Sequence, residues 1–127
     1  MVAQLLTLVQ QEHVRLNPDR LESLYVQLGE AGAEDVVCRA IEELAVRLAH
    51  CERLWRARDF EGLRKASRSL IAIADQVGMT ELARVAGDVT ASIDAADMAA
   101  LGATLFRLIR VGERSLLAVW DLQDVIV

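Results

Sequence analysis

Residues 59–78 read DFEGLRKASRSLIAIADQVG and carry the signals of one complete helix. Asp59 is a capping residue type that can bind the N–H groups of the first turn, and Glu61 follows near the positive end of the helix dipole. Apolar or small residues then recur at steps of three and four, which predicts one buried helix face. This set is Phe60, Leu63, Ser67, Leu70, Ala74 and Val77. Gly78 supplies the left-handed conformation that often ends a helix.

The opposite face of this helix changes character half-way along. It begins with charged residues and continues with Ile71 and Ala72. An apolar residue beside a small one, on a face otherwise in water, is typical of a docking surface. The alternative is that Ile71 lies under a neighbouring helix, since single apolar surface residues are common. The predicted partner-binding residues, which we term the docking stripe, are Arg64, Lys65, Arg68, Ile71, Ala72 and Asp75.

The composition of the 127 residues is typical of an all-helical domain. Hydrophobic residues make up 54% of the chain, aromatic residues only 4%, and Pro18 is the single proline. Leu, Ala, Val and Ile therefore fill the core, and the length suits one domain. No apolar run reaches the roughly 18 residues of a membrane span. The N-terminus also lacks the features of a signal peptide. We expect a cytoplasmic protein that does not contact membranes.

Charge is unevenly distributed along this acidic chain. The net charge of −5 argues against a nucleic-acid binder, yet residues 52–68 contain six basic residues and three acidic ones. Aromatic residues do not interleave with the basic ones, so a base-stacking surface is not expected. A solvated helical hairpin of mixed charge would explain the pattern. The functional alternative is attraction of an acidic protein partner.

Helix signals along the rest of the chain predict an antiparallel four-helix bundle with one or two additional N-terminal helices. Asn17-Pro18-Asp19 is the clearest start, because a capping residue precedes a proline at the first helical position. Gly29 to Ala33 should break the chain before a long helix. The expected helices are 3–14, 17–28, 34–57, 59–78, 80–93 and one from 97 onward. The single domain would comprise an N-terminal helix in 1–16, the bundle in 17–122 and an apolar tail, 123–127.

Two histidines are the candidate nucleophiles or metal ligands. His13 has no second ligand at metal-binding spacing, so no metal site is expected. His50 belongs to a charged outer stripe of the helix over 34–57 and should be exposed. It precedes Asp59 by nine residues and Arg68 follows Asp59 by nine, so the two should share one height along a hairpin. The motifs GxSxG and HExxH are lacking, and we expect neither a hydrolytic enzyme nor a cofactor.

Residues 67–79, S-R-S-L-I-A-I-A-D-Q-V-G-M, resemble the active helix of a histidine-containing phosphotransfer (HPt) domain. Such helices typically read A-H-S-L-K-G-S…-L-G-A. Leu70 matches the leucine, Gly78 matches the closing glycine, and Asp59 resembles the acidic entry. The resemblance covers about residues 17–122. It implies a four-helix bundle of a two-component phosphorelay, which docks the acidic receiver domain of a response regulator.

The departures from this pattern fall on the residues that would handle phosphate. Arg68 stands where the resemblance implies the phospho-accepting histidine, Ile71 where it implies a lysine, and Ala72 where it implies a glycine. A guanidinium stays protonated and has no lone pair available to attack an aspartyl phosphate. We therefore expect no catalytic residue and no phosphotransfer at this position.

Three functions remain open at this point. The first is a pseudo-HPt signalling module, in which the docking stripe binds a receiver domain or another acidic protein surface and the chemistry is gone. The second is phosphotransfer through a displaced histidine, for which His50 is the only candidate at the right height. The third is a structural bundle that self-associates as a homodimer, which the apolar content, Gly112 and the tail would favour.

Overall fold

The computed structural model describes residues 16–126, and for Trp120 and residues 122–126 it describes the backbone only. Four helices make up this part of the chain. They are α1 (Pro18–Arg56), α2 (Phe60–Gln76), α3 (Thr80–Asp94) and α4 (Met98–Ile126). No strand occurs among the described residues. The all-helical prediction is therefore confirmed.

The four helices pack in a closed ring. Each contacts two others, in the order α1, α2, α3 and α4, and α4 returns to α1. Only residues 57–59, 77–79 and 95–97 connect them, and connections this short make consecutive helices antiparallel neighbours. This is the arrangement of a four-helix bundle. Within the described residues α2 and α4 make no direct contact and lie diagonally across the ring.

The core is aliphatic and closely packed. One fully buried leucine from each helix illustrates this, namely Leu44, Leu70, Leu82 and Leu105. Burying such a side chain contributes about 1.5–3 kcal/mol. On α4, a Cβ added at Gly112 would lie 2.5 Å from Leu48 Cδ1 of α1. The absence of a side chain at Gly112 therefore lets α1 and α4 approach closely.

The first helix departs from the expected boundaries. Gly29 has φ 75° and ψ 174°, outside the helical region, and the helix resumes at the next residue. The predicted break is confirmed at Gly29, but its extent over 29–33 and the helix start at residue 34 are wrong, because one glycine at positive φ suffices to redirect the chain. Residues 18–28 are thus the first segment of α1, which the non-helical Gly29 separates from the second segment. The expected helix over 3–14 lies outside the described residues, and residues 123–126 continue α4.

The first segment of α1 is fastened to the turn between α2 and α3. Asn17 caps α1, since its side-chain oxygen accepts the N–H groups of Asp19 and Arg20 at 3.1 and 3.4 Å. The N–H of Asn17 donates to the carbonyl of Gly78 at 2.7 Å, and Arg20 Nε donates to the carbonyl of Gln76 at 3.2 Å. A Cβ added at Gly78, where φ is +78°, would lie 2.7 Å from the Asn17 carbonyl oxygen. Gly78 therefore ends α2 and, because it has no side chain, leaves room for Asn17 at the start of α1.

Replacing Gly78 by alanine should destabilise the bundle by at least about 2 kcal/mol. The left-handed backbone costs about 1–2 kcal/mol for a residue with a Cβ, and forcing extra atoms into a packed contact typically costs about 1–3 kcal/mol. The measurement is the free energy of unfolding from urea titration.

Gly87→Ala is the matched control for this variant, because a Cβ there meets nothing within 4 Å. It should raise stability by up to about 1 kcal/mol, since alanine favours a helix over glycine. Equal stability of the two variants would contradict the contact between Asn17 and Gly78.

Candidate functional site

The helix α2 presents its predicted outer face because the other side is buried in the ring. Asp59 caps it, accepting the Gly62 N–H at 2.9 Å. The buried residues follow the expected period and comprise Leu63, Ala66, Ser67, Leu70 and Ala74. The neighbours α1 and α3 contact the two flanks of α2. The docking stripe lies on the face of α2 that this packing leaves outside the core.

The docking stripe is exposed only in part. Lys65, Arg68, Ala72 and Asp75 are exposed, whereas Arg64 and Ile71 are half-buried. Ile71 packs against the buried core. Part of its surface is therefore covered within the bundle, in line with the alternative that Ile71 is not a docking residue. The accessible portion of the stripe is therefore mostly charged, with Ala72 as its small apolar element.

The guanidinium of Arg64 is held by the last residue of α3. Its Nε donates to Asp94 Oδ1 at 2.7 Å and its Nη2 donates to Asp94 Oδ2 at 3.3 Å. The hydrogen bond from Arg64 is the main reason that the pKa of Asp94 is lowered, and the charges of Arg64 and Arg68 add to it. The sequence does not indicate this pair, since a separation of 30 residues leaves no periodic signal. Arg64 thus joins α2 to α3, and its guanidinium is already paired within the chain.

Arg68 lies one turn beyond Arg64 on the same side of α2. Its charge acts on Asp94, yet it forms no ion pair or hydrogen bond within the described part of the chain. The side chain of Lys65 is likewise exposed. These two cations are therefore available to an acidic partner. A guanidinium is the better matched to a carboxylate, because its planar fork can donate two parallel hydrogen bonds.

The opposite flank of α2 faces α1. Arg47 Nη1 donates to Ser69 Oγ at 3.0 Å, while Arg47 Nη2 donates to Glu43 at 2.9 Å. His50 follows Arg47 by one turn and is exposed, as expected. His50 lies on α1 and Arg68 on α2, so His50 is not part of the docking stripe.

The thiol nearest to this region does not suit nucleophilic chemistry. Cys51 is fully buried. Burial raises the pKa of its thiol, and Ser67 and the charge of Arg47 offset this only partly. A buried thiol with a raised pKa stays protonated and unreactive. Cys51 therefore acts as a small core residue between α1 and α2.

A second charged surface, on α4, was missed by sequence reasoning. Arg107, Arg110 and Arg114 line a groove of about 350 Å³ together with Val111. Their steps of three and four along the chain could have indicated a shared helix face. The buried carboxylate of Glu81 on α3 accepts from Arg107 Nη2 at 3.2 Å. We call this surface the arginine groove.

Comparison of the chain with protein-family models, with curated proteins and with solved structures finds no match. In the described residues, no helix is both long and apolar enough to cross a bilayer. Across the same part of the chain, no three His, Cys, Asp or Glu side chains converge as metal ligands.

Replacing Asp94 by asparagine should reduce stability at neutral pH and have a diminishing effect in acid. Arg64 holds the pKa of Asp94 below its ordinary value of 3.8. The contribution of the carboxylate is therefore present above pH 3.8 and disappears as the pH falls through the lowered pKa. Urea midpoints of wild type and variant should differ at pH 7 and converge in acid.

Asp75→Asn provides the comparison, because the Asp75 side chain is exposed and makes no ion pair in the described part of the chain. Its urea midpoint should match that of the wild type at both pH values. A wild-type advantage over Asp94→Asn that does not change with pH would contradict an ionic role for Asp94.

Proposed function

We propose that the chain is a pseudo-HPt module, which binds the receiver domain of a response regulator through α2 and does not accept its phosphoryl group. The observation that carries the proposal is the pair of exposed cations, Lys65 and Arg68, beside Ala72 on the middle of α2. This is the region where the resemblance to HPt domains implies the phospho-accepting histidine. An arginine there keeps a contact surface and removes the nucleophile.

Charge complementarity supports the choice of partner. The resemblance implies that a receiver domain surrounds its phospho-aspartate with acidic residues. Arg68 can donate hydrogen bonds to those carboxylates, or to the phosphoryl oxygens, without accepting the phosphoryl group itself. Such contacts mainly raise the association rate and fix the orientation, and they weaken with salt. The module would thereby sequester a receiver domain or alter the lifetime of its phosphate.

The ion pair between Arg64 and Asp94 also contributes to this surface. The charge of Arg68 acts on Asp94 of α3, but this carboxylate already accepts two hydrogen bonds from Arg64. The carboxylate is therefore drawn toward Arg64, and the guanidinium of Arg68 is left exposed. Removing Arg64 would release Asp94 to compete for Arg68.

Self-association through another surface is the second candidate function. Val46 on α1 and Leu117 on α4 are each 66% exposed, and Phe106 is 53% exposed. Phe106 packs edge-on against Trp55, with ring centroids 5.4 Å apart. These residues lie on α1 and α4, so a homodimer formed there would leave the docking stripe open. Light scattering at several concentrations detects such a dimer directly.

Phosphotransfer through His50 lacks comparable support. The side chain is exposed, and in the described part of the chain it makes no hydrogen bond that would fix one tautomer. It also lies on α1, whereas the stripe that the resemblance implies for docking lies on α2. A His50→Ala variant that still takes up phosphate from a receiver domain would exclude this route.

Replacing Arg68 by glutamate should weaken receiver binding by at least about tenfold, because an attractive charge becomes a repulsive one at the contact. The loss should shrink as ionic strength rises. Affinity is measured by calorimetry with a panel of receiver domains. The variant should unfold at the wild-type temperature, since Arg68 is exposed and unpaired within the described residues.

Arg53→Glu is the control with the same change in net charge, on an exposed position of α1. Its affinity for the receiver domain should stay near that of the wild type. If both variants bind as the wild type does, α2 is not the docking surface.

A further inference from the structure

Four side chains form an exposed stripe along the middle of α4. They are Phe106, Arg110, Glu113 and Leu117. Their steps of four, three and four residues place them on one face of the helix. Phe106 is 53% exposed and Leu117 is 66% exposed, so a large apolar side chain stands at each end of a pair of opposite charges. We call this set the α4 stripe.

The two charged residues of the α4 stripe are unpaired in the described part of the chain. Arg110 and Glu113 are three residues apart, yet no ion pair or hydrogen bond joins them to each other or to another described residue. On α1, in contrast, Arg56 is paired with Glu52 at 2.7 Å. The α4 stripe therefore offers one free cation and one free anion to a partner.

The order of residues in the α4 stripe is self-complementary. The midpoint between Arg110 and Glu113 along the chain is also the midpoint between Phe106 and Leu117. If two copies of α4 pack antiparallel about a two-fold axis at this midpoint, Arg110 of each copy faces Glu113 of the other, and Phe106 faces Leu117. A two-fold interface requires a surface that matches itself in this way. Parallel packing would instead place Arg110 against Arg110.

The aromatic end of the α4 stripe is held in place within the bundle. The ring of Phe106 packs edge-on against Trp55 of α1, with ring centroids 5.4 Å apart. One turn earlier on α4, a Cβ added at Gly102 would lie 4.0 Å from Trp55 Cζ2. A side chain that is already packed loses less conformational freedom on association. Phe106 is therefore suited to anchor an interface, where aromatic residues are enriched.

A second copy of the chain is the partner that these charges fit. A partner surface of one sign would repel either Arg110 or Glu113, whereas a second copy pairs both of them. The centre of the docking stripe has a different character, because it exposes two cations, Lys65 and Arg68, and suits an acidic partner. The two surfaces therefore select different partners.

We propose that two copies of the chain associate through the α4 stripe in antiparallel orientation. Two ion pairs between Arg110 and Glu113 lie at the centre of the contact, and Phe106 packs against Leu117 on either side. This assigns a surface, an orientation and a register to the self-association considered above. The contact involves few side chains, so the dimer is weak and depends on concentration.

The dimer leaves both docking stripes open, because α2 lies diagonally across the ring from α4. One dimer therefore carries two receiver domains, a consequence that rests on the proposed function. The α4 contact itself needs no receiver domain and is tested without one. Its failure and the failure of receiver binding are thus separate results.

The test is sedimentation of the full chain and of charge variants over a range of concentrations. The wild type should dimerise as its concentration rises. Arg110→Glu and Glu113→Arg should each weaken the dimer by at least about tenfold, because each sets two pairs of like charges at its centre. The double variant Arg110→Glu/Glu113→Arg restores two attractive pairs and should dimerise as the wild type does.

Arg53→Glu is the control with the same change in net charge as Arg110→Glu, on an exposed position of α1. It should leave the dimer unchanged. All the α4 variants should unfold at the wild-type temperature, since Arg110 and Glu113 are exposed and unpaired within the described residues. A loss of dimer can then be assigned to the contact and not to the fold.

Mixing the two single variants gives the sharpest result. One copy then presents two anions at these positions and the other presents two cations, so the mixture should form a heterodimer although neither variant dimerises well alone. A wild-type chain that stays monomeric up to about 1 mM would overturn the proposal. Single variants that dimerise as strongly as the wild type would also overturn it, as would a mixture that stays monomeric.

Discussion

The burial of one face of α2 between α1 and α3 is the constraint on which the rest of the structure depends. Leu63, Leu70 and Ala74 are removed from water on that face, and polar contacts fix both flanks. Ser69 is bound from α1 by Arg47, and Arg64 binds Asp94 at the end of α3. Rotation of α2 would expose the leucines and break both contacts. The side chains left on the outside are therefore set by packing, and any docking partner must accept them in this arrangement.

The helices themselves were predictable because local signals agree with the packing. The cap at Asp59, the three-and-four period and the stop at Gly78 define α2 nearly to the residue. The break at Gly29 was predictable too, but its length was not, since the sequence does not show that the helix resumes at the next residue. The pair formed by Arg64 and Asp94 was not predictable either, because it joins two helices whose relative rotation comes only from the assembled core.

The docking stripe was predictable as a face but not as a set of equivalent residues. Periodicity places Arg64, Arg68 and Ile71 together, yet the structure assigns them different roles. Arg64 is paired, Arg68 is exposed, and Ile71 is half-buried against the core. The arginine groove shows the same limit. Its three arginines were visible in the sequence, but the buried Glu81 that positions one of them comes from another helix.

In the proposed pseudo-HPt function, the chain binds a receiver domain but does not accept its phosphoryl group. The deciding step is whether phosphate is transferred to this chain, since α2 presents exposed cations and His50 is exposed on the neighbouring helix α1. The most direct measurement mixes the purified chain with phosphorylated receiver domains and follows the label on both proteins. The proposed function predicts no label on this chain and a changed rate of dephosphorylation for its cognate receiver. Label on the chain, or unchanged rates for every receiver domain, would contradict it.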